Sequence, residues 1–388
     1  MLPKLFNINC TFSKIEIKSS SEPLKSSNRK LPGHHYRGNL HIWIQYFLCN
    51  RRMKVVVDGE SSSEANVDSG VPQGTVLGPL LFLCHINDLP QRVKEAIVRL
   101  FADDCLLYKV IRSIKDQQKL QEDLLILEQW ASEWGMSFNA KKCFILSINQ
   151  KRTFFYQLCS TILKEVPSNP YLGLNLSNDL KWNLHIRSVI SKANASLGLL
   201  RRNLQHCPAT TRKTAYIALV RSTLEYGATI WDPHTQTEID SLEAVQRRAA
   251  RFITRDFKSR EPGCVTRMLN NLDQPSLETH GKHLRLTFIF KIAEGLVPAI
   301  PPESQLKPIQ NKRKIKAKTF QDCVVNNFVE QNQLNNSRCF QVPPPSKSDI
   351  YKNSLFPRTI RQWNQLDDSV VSAPSPDTFK QRLQAQLV

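Results

Sequence analysis

Apolar and polar positions in this chain follow two periods, a strand-like one in the first half and a helical one in the second. Ile97 to Leu100 and Leu106 to Tyr108 are apolar runs on either side of a short acidic step, which reads as a hairpin of two half-buried strands. Lys54 to Val57 reads as a strand entering an Asp58-Gly59 turn, and Phe144 to Ile148 as a further strand. Trp43 to Leu48 reads as the end of a helix. Leu120, Leu124, Leu127, Ala131 and Trp134 recur at helical spacing, so that segment is expected to pack one face on the sheet. From about residue 183 the helical period takes over. Val189, Ala193, Leu197 and Leu200 make one apolar stripe; Leu242, Val245, Ala249, Phe252 and Ile253 make another. Pro298, Pro301 and Pro302 mark a break near residue 300. The polar stretch after it, with Pro343-Pro344-Pro345, reads as a linker ahead of a short amphipathic tail. Residues 1–35, Ser- and Lys-rich from Ser19 to Lys30, are expected to be poorly ordered.

The chemistry concentrates in two segments. Phe101-Ala102-Asp103-Asp104 sets two carboxylates at a turn. Alone this is ordinary turn composition, since Asp favours tight turns. It is equally the oxygen-donor set that a hard divalent cation takes together with substrate phosphates. About thirty residues upstream runs Ser69-Gly70-Val71-Pro72-Gln73-Gly74-Thr75-Val76-Leu77-Gly78-Pro79. Gly70 and Gly74 permit positive φ or close approach to a ligand, and Pro72 stiffens the loop between them. A glycine-rich loop opening a helix can cradle a nucleotide or a template strand, although a plain loop before a core helix has the same composition.

Together the two segments resemble the reverse transcriptases of non-LTR (LINE-like, jockey-like) retrotransposons. Ile86-Asn87-Asp88-Leu89-Pro90 fits the same pattern, as do Trp130, Trp134, Met136, Phe138, Asn139, Lys141, Lys142 and Cys143. So do Tyr171-Leu172-Gly173-Leu174 and the following Asp179 to Ile186. Farther on, Leu224-Glu225-Tyr226, Trp231-Asp232-Pro233, Leu242 to Ile253, Phe356-Pro357-Arg358 and Trp363-Asn364-Gln365-Leu366 resemble the region that follows the polymerase domain in these elements. The resemblance implies that Asp103 and Asp104 are catalytic and hold metal. It implies that Gly70, Pro72, Gln73 and Gly74 shape the template and nucleotide pocket, with Lys142 approaching the triphosphate. Tyr171, Leu172 and Gly173 would position the primer end. The implied cofactor is Mg²⁺ or Mn²⁺, and the implied partners are an RNA template, a DNA primer and nucleoside triphosphates.

One part of the pattern departs. A two-metal site needs a third carboxylate from an earlier strand to clamp the attacking and leaving oxygens. The nearest match is Thr11-Phe12-Ser13-Lys14-Ile15-Glu16, with Thr11 where the family has Asp. A threonine hydroxyl carries no charge at neutral pH. Alternatively, residues 1 to about 35 are unrelated sequence joined to a truncated palm. Either way the fingers region is expected to be missing, metal binding weakened and polymerase activity lost or nearly so, unless Glu16 or Asp58 supplies the missing acid. A repurposed, non-catalytic nucleic-acid-binding protein is the alternative function.

Charge supports a polyanionic partner: Lys and Arg number 53 against 34 acidic residues, a net +19. Each basic cluster by itself (Arg51-Arg52, Lys141-Lys142, Arg201-Arg202, Arg247-Arg248, Lys312 to Lys318) also fits a solvated face. The run from Asn311 to Lys318 has the composition of a nuclear localisation signal, which favours the nucleus for a chain expected to be intracellular. Ten scattered cysteines without a Cys-x-x-Cys pair argue for reduced thiols and against zinc or a disulfide framework. No apolar run is long enough to predict a membrane span, and no signal peptide is evident. Trp130, Trp134, Trp182 and Trp231 lie in or beside apolar stripes, where core packing is expected over base stacking.

The expected architecture is α+β. A partial polymerase palm, an antiparallel sheet with packed helices, spans about 36–180. A mainly helical, thumb-like region spans 181–300, followed by a linker over 301–350 and a small helical segment over 351–388.

Overall fold

A computed structural model describes residues 10–19, 39–67, 70–148, 154–309, 336–343 and 348–386. The basic run from Asn311 to Lys318, the Ser/Lys-rich stretch beyond Ser19, and Pro344 and Pro345 lie outside the described residues. The chain divides into two compact units, one of residues 7–180 and one made chiefly of residues 181–388.

The first unit is α+β. Its main sheet contains β1 (Cys10–Ser19), and two small antiparallel pairs follow: β2 (Arg51–Met53) with β5 (Ala65–Val67), and β3 (Val56–Val57) with β4 (Glu60–Ser61). The expected Asp58-Gly59 turn joins β3 to β4, with φ of 52° and 89° at its two residues. The acidic hairpin is β6 (Ile97–Phe101) and β7 (Asp104–Val110). β8 (Met136–Phe138), β9 (Phe144–Ile148) and β12 (Lys164–Glu165) complete the main sheet, in the order β12-β9-β1-β7-β6 with β8 also on β1. The pairs β10 (Gln157–Leu158) with β11 (Thr161–Ile162), and β13 (Ser168–Tyr171) with β14 (Leu174–Ser177), stand apart.

β1 is the central strand, although its sequence lies within the stretch expected to be poorly ordered. It pairs antiparallel with β7 on one side and β9 on the other. Thr11, Ile15 and Ile17 are β-branched and suit a strand. The pairing also satisfies backbone groups of β7 and β9 that would otherwise form open edges. A polar stretch that makes no obvious core is thus recruited by the hydrogen-bonding needs of its neighbours.

Helices α1 (Asn39–Leu48), α2 (Leu77–Ile86), α3 (Leu89–Arg92) and α4 (Ile114–Glu133) accompany the sheet. Ser113 starts α4 with a capping box: its hydroxyl accepts from the Asp116 N–H, and Asp116 accepts from the Ser113 N–H. The α4 stripe is buried at Leu120, Leu124, Leu127, Trp130 and Ala131, against Cys105 and Leu107 of β7 and Ile145 of β9.

The second unit is helical: α5 (Asn183–Asn203), α6 (Ala209–Tyr216), a π-helical stretch (Ile217–Arg221), α7 (Ser222–Glu225), α8 (Ala228–Trp231), α9 (Gln236–Thr254), α10 (Cys264–Asn271), α11 (Leu277–Ala293) and α12 (Pro302–Gln305). After these come α13 (Asp349–Lys352), α14 (Leu355–Trp363), α15 (Asp368–Val371) and α16 (Pro376–Gln386). Both expected apolar stripes, on α5 and α9, are buried. A further core joins α11 to α14 and α16 through Phe290, Ile360, Trp363 and Phe379. Leu306 and Phe340, in the stretch read as a linker, are buried in that core, and Pro308 bridges to Phe340. Proline-rich polarity concealed two apolar anchors there. Among the described residues no helix is long and apolar enough to cross a membrane.

Candidate nucleotidyl-transfer site

The acidic hairpin closes through a two-residue loop, Ala102-Asp103, between the paired residues Phe101 and Asp104. Ala102 adopts φ 49°, a left-handed conformation that costs a non-glycine residue about 1–3 kcal/mol and needs surroundings that over-determine it. Those surroundings are Cys105, Leu106, Leu107 and Tyr108, all buried, which fix β7 in the core immediately after the turn. Burial pushes the Cys105 thiol up to about 12, so it behaves as a small apolar side chain. Asp103 is exposed and Asp104 half-buried. Asp103 makes no ion pair among the described residues.

Beside the turn stands β1. Its register puts Glu16 opposite Asp104 and Thr11 opposite Lys109. Directly opposed positions of an antiparallel ladder share a face, so positions 16 and 104 lie on one face of the sheet. Thr11 is five residues along, roughly 17 Å from that pair. The structure therefore differs from the placement of Thr11 at the site of the third acid. The β1 position that flanks the turn is already acidic in this sequence.

Tyr171, in the segment to which the resemblance gives the primer end, lies on a second hairpin. β13 and β14 are joined by Leu172 and Gly173, with φ of 46° and 80°, and Tyr171 pairs with Leu174. Its phenol is shifted up by burial, aided by the negative charge of Asp104.

The glycine-rich loop is built differently. Gly70 and Gly74 have φ of 76° and 80°. Arg51 donates from Nη2 to the Gly70 carbonyl at 2.6 Å and from Nε to the Leu48 carbonyl at 3.0 Å, tying the loop to the end of α1. Thr75 donates from its hydroxyl to the Pro72 carbonyl at 2.8 Å and accepts from the Gly78 N–H at 3.1 Å. A β-carbon at Gly78 would come within 2.7 Å of the Pro72 carbonyl oxygen, so only glycine allows α2 to start this close under the loop. Gln73 and Gly74 are exposed and Pro72 half-buried. The far end of α2, about 15 Å away, enters the same apolar cluster as Cys105 and Leu107 through Ile86, and Leu89 at the start of α3 joins it. Lys142 ends a short 3₁₀ turn (Ala140–Lys142) and is exposed.

Several buried polar groups escaped the sequence reading because their partners are remote. Asp123 on α4 accepts from the backbone N–H groups of Lys94, Glu95 and Ala96 at 3.2, 3.2 and 2.6 Å, and so shapes the entry to β6. Asp88 accepts from the Trp130 indole at 3.2 Å, which gives the Asn-Asp-Leu-Pro step a packing role. In the helical unit Arg285 pairs with Asp232, and Arg358 reaches the Asp232 carboxylate at 3.1 Å. The neighbouring Gly281 leaves the space that this carboxylate occupies. Trp130 and Trp231 are core residues.

Residues 6–176 match the family described as reverse transcriptase (RNA-dependent DNA polymerase). The chain is 27% identical over 228 residues to the probable RNA-directed DNA polymerase from transposon X-element of Drosophila melanogaster, covering 54% of this chain and 24% of that protein. It is 29% identical over 226 residues to the corresponding protein of transposon BS, covering 54% and 25%. To the RNA-directed DNA polymerase from mobile element jockey, also of Drosophila melanogaster, it is 25% identical over 230 residues, covering 55% and 25%. The chain thus spans about a quarter of the length of these three curated relatives. A telomerase structure from Candida albicans is similar over 79% of this chain and 51% of that one at 14% identity, with a TM-score of 0.29, too low to bear on the fold.

Proposed function

Residues 6–176 are a reverse transcriptase domain of the LINE-like, non-LTR retrotransposon kind, and on that premise we propose that the chain carries out slow, RNA-templated extension of a DNA primer. In this reaction the primer 3′-oxygen attacks the α-phosphorus of a nucleoside triphosphate. The bond to the β-phosphate breaks, pyrophosphate leaves, and the 3′-hydroxyl proton passes to water.

The observation that carries the proposal is the acidic turn, with Asp103 open to solvent and Asp104 opposite Glu16 on one face of the sheet. These carboxylates are the donors that Mg²⁺ or Mn²⁺ takes alongside substrate phosphates, and a bound ion there would neutralise charge developing on the transferred phosphoryl group. Asp103 and Asp104 would hold it, with Glu16 as the third acid. Pro72, Gln73 and the positive-φ glycines Gly70 and Gly74 would shape the pocket for template and nucleotide. Lys142 would approach the triphosphate, and the Tyr171-Leu172-Gly173 turn would seat the primer end. Turnover is expected to be slow because glutamate is one methylene longer than aspartate, and such sites tolerate misplacement of only about 0.5 Å.

Primer extension on an RNA template with Mg²⁺ or Mn²⁺ tests this. Slow synthesis by the natural chain should fall on the order of a thousandfold in Asp103→Asn and comparably in Glu16→Gln. Equal synthesis by the natural chain and Asp103→Asn would refute the catalytic reading. Salt-sensitive RNA binding in both would then support the non-catalytic one, which the net charge of +19 favours.

A further inference from the structure

We propose that the helical unit carries its own binding surface for single-stranded nucleic acid, made by the last turn of α5 and the loop that follows α9. Five exposed cationic side chains belong to these two segments: Arg201 and Arg202 at the end of α5, and Arg255, Lys258 and Arg260 after α9. None of them makes an ion pair among the described residues. Arg201 lies over the Phe257 ring with its guanidinium carbon 5.5 Å from the ring centre, which fastens α5 to the loop. The neighbouring acids are already engaged. Asp256 accepts from the Lys258 and Ser259 N–H groups at 3.1 and 2.9 Å, and Glu261 pairs with Arg267 at 2.8 Å.

Cations at a helix C-terminus favour the helix dipole, and α5 and α9 both end here. That accounts for one or two of the five. It does not account for Lys258 and Arg260, which lie beyond either helix. The loop is also held in place by the protein: Arg251 donates to the Asp256 and Ser259 carbonyls at 3.1 and 3.0 Å.

The aromatic ring selects the occupant. Phe257 keeps 46% of its surface exposed while its ring carries Arg201, and Lys258 follows it in the chain. An exposed ring among phosphate-binding cations is a stacking platform, which only unpaired bases can use. A duplex presents the same phosphates but keeps its bases stacked internally. The surface therefore fits a single strand, and it does not depend on whether the acidic turn is catalytic.

The test uses the full chain, a labelled single-stranded RNA oligonucleotide and the duplex of the same sequence, across a salt series. Arg201→Gln Lys258→Gln Arg260→Gln should reduce the slope of log affinity against log salt by roughly 2, about 0.7 for each lost contact. Phe257→Ala should weaken single-strand binding about fivefold or more and leave duplex binding unchanged. Ultraviolet cross-linking of the natural chain, mapped by mass spectrometry, should label the peptide containing Phe257, and this readout needs no variant to fold. An unchanged slope, equal losses for duplex and single strand in Phe257→Ala, or cross-links confined to residues 7–180 would each overturn the proposal. Primer extension by the same preparations reports separately on the catalytic reading.

Discussion

The two units treat their acidic side chains in opposite ways. In the helical unit three half-buried acids are consumed by structure. Asp232 is shared by Arg285 and Arg358, and Glu225 takes Arg221 at 2.6 Å and His280 at 2.8 Å. Glu243 accepts from the Leu277 N–H at 2.6 Å, at the start of α11. In the first unit, Asp123 is buried and likewise spent on backbone, but Asp103 is exposed on a strained turn without an ion pair among the described residues. An acid that stabilises its fold cannot also be free to bind a ligand. The contrast separates Asp232, Glu225, Glu243 and Asp123, which are architecture, from Asp103, which is not held in an ion pair among the described residues.

Substitution at each kind of acid sharpens this contrast. Asp103→Asn should reduce primer extension on the order of a thousandfold, yet the variant should melt no lower than the natural chain, because no ion pair among the described residues is lost. A clear drop in melting temperature would mean that Asp103 is structural. Asp232→Ala should do the reverse. It leaves the Arg285 guanidinium, whose side chain is 2% exposed, buried without its partner, and breaking a buried pair costs about 3–5 kcal/mol. Denaturant melting that registered less than about 1 kcal/mol would place that network among weak surface pairs.

Glycine offers a smaller contrast. Gly78→Ala brings a β-carbon within 2.7 Å of the Pro72 carbonyl oxygen and is expected to destabilise by about 1–3 kcal/mol. Gly198→Ala, in the interior of α5, meets only the tip of Arg202 at 3.6 Å and should stabilise by about 0.5–1 kcal/mol. Equal effects at the two sites would show that the loop yields freely and that the close approach of α2 is not required.

The smallest expected effect is a pH dependence. His185 is buried between Trp182 and Trp231, with ring centres 6.0 and 5.1 Å away. Burial, aided by Lys192, lowers its pKa from the ordinary 6.5. The unfolded chain takes up this proton more readily than the folded one. The associated stability is therefore fully present above about pH 6.5 and is lost as pH falls through the lowered folded value. His283 is shifted the same way, chiefly by burial. The melting temperature should fall between about pH 7 and pH 5.5, and less steeply in His185→Gln. A slope unchanged by that substitution would assign the effect to His283 or to the carboxylates.

Local features of the first unit were legible in advance because they depend on near neighbours. The acidic hairpin, the Asp58-Gly59 turn, the α4 stripe and the Tyr171 hairpin each follow from residues close together in the chain. The role of residues 10–19 was not legible. Their place between β7 and β9 is set by partners about ninety or more residues away, and a strand register has no local signature. The same distance hid the clamp between Asp232 and Arg358, 126 residues apart, and the burial of Leu306 and Phe340 in an otherwise polar stretch.

By itself, then, the sequence determined the chemical character of the chain: a paired-acid turn, a glycine-proline loop, apolar stripes of helical period and a cationic excess. Only the tertiary structure decided which acid flanks the turn, which arginines are taken up by internal carboxylates, and which remain on the surface at the end of α5. Residue types and short spacings are inherited directly from the chain. Availability is not, because whether a charge is spent or free depends on what the fold brings against it from far away in sequence.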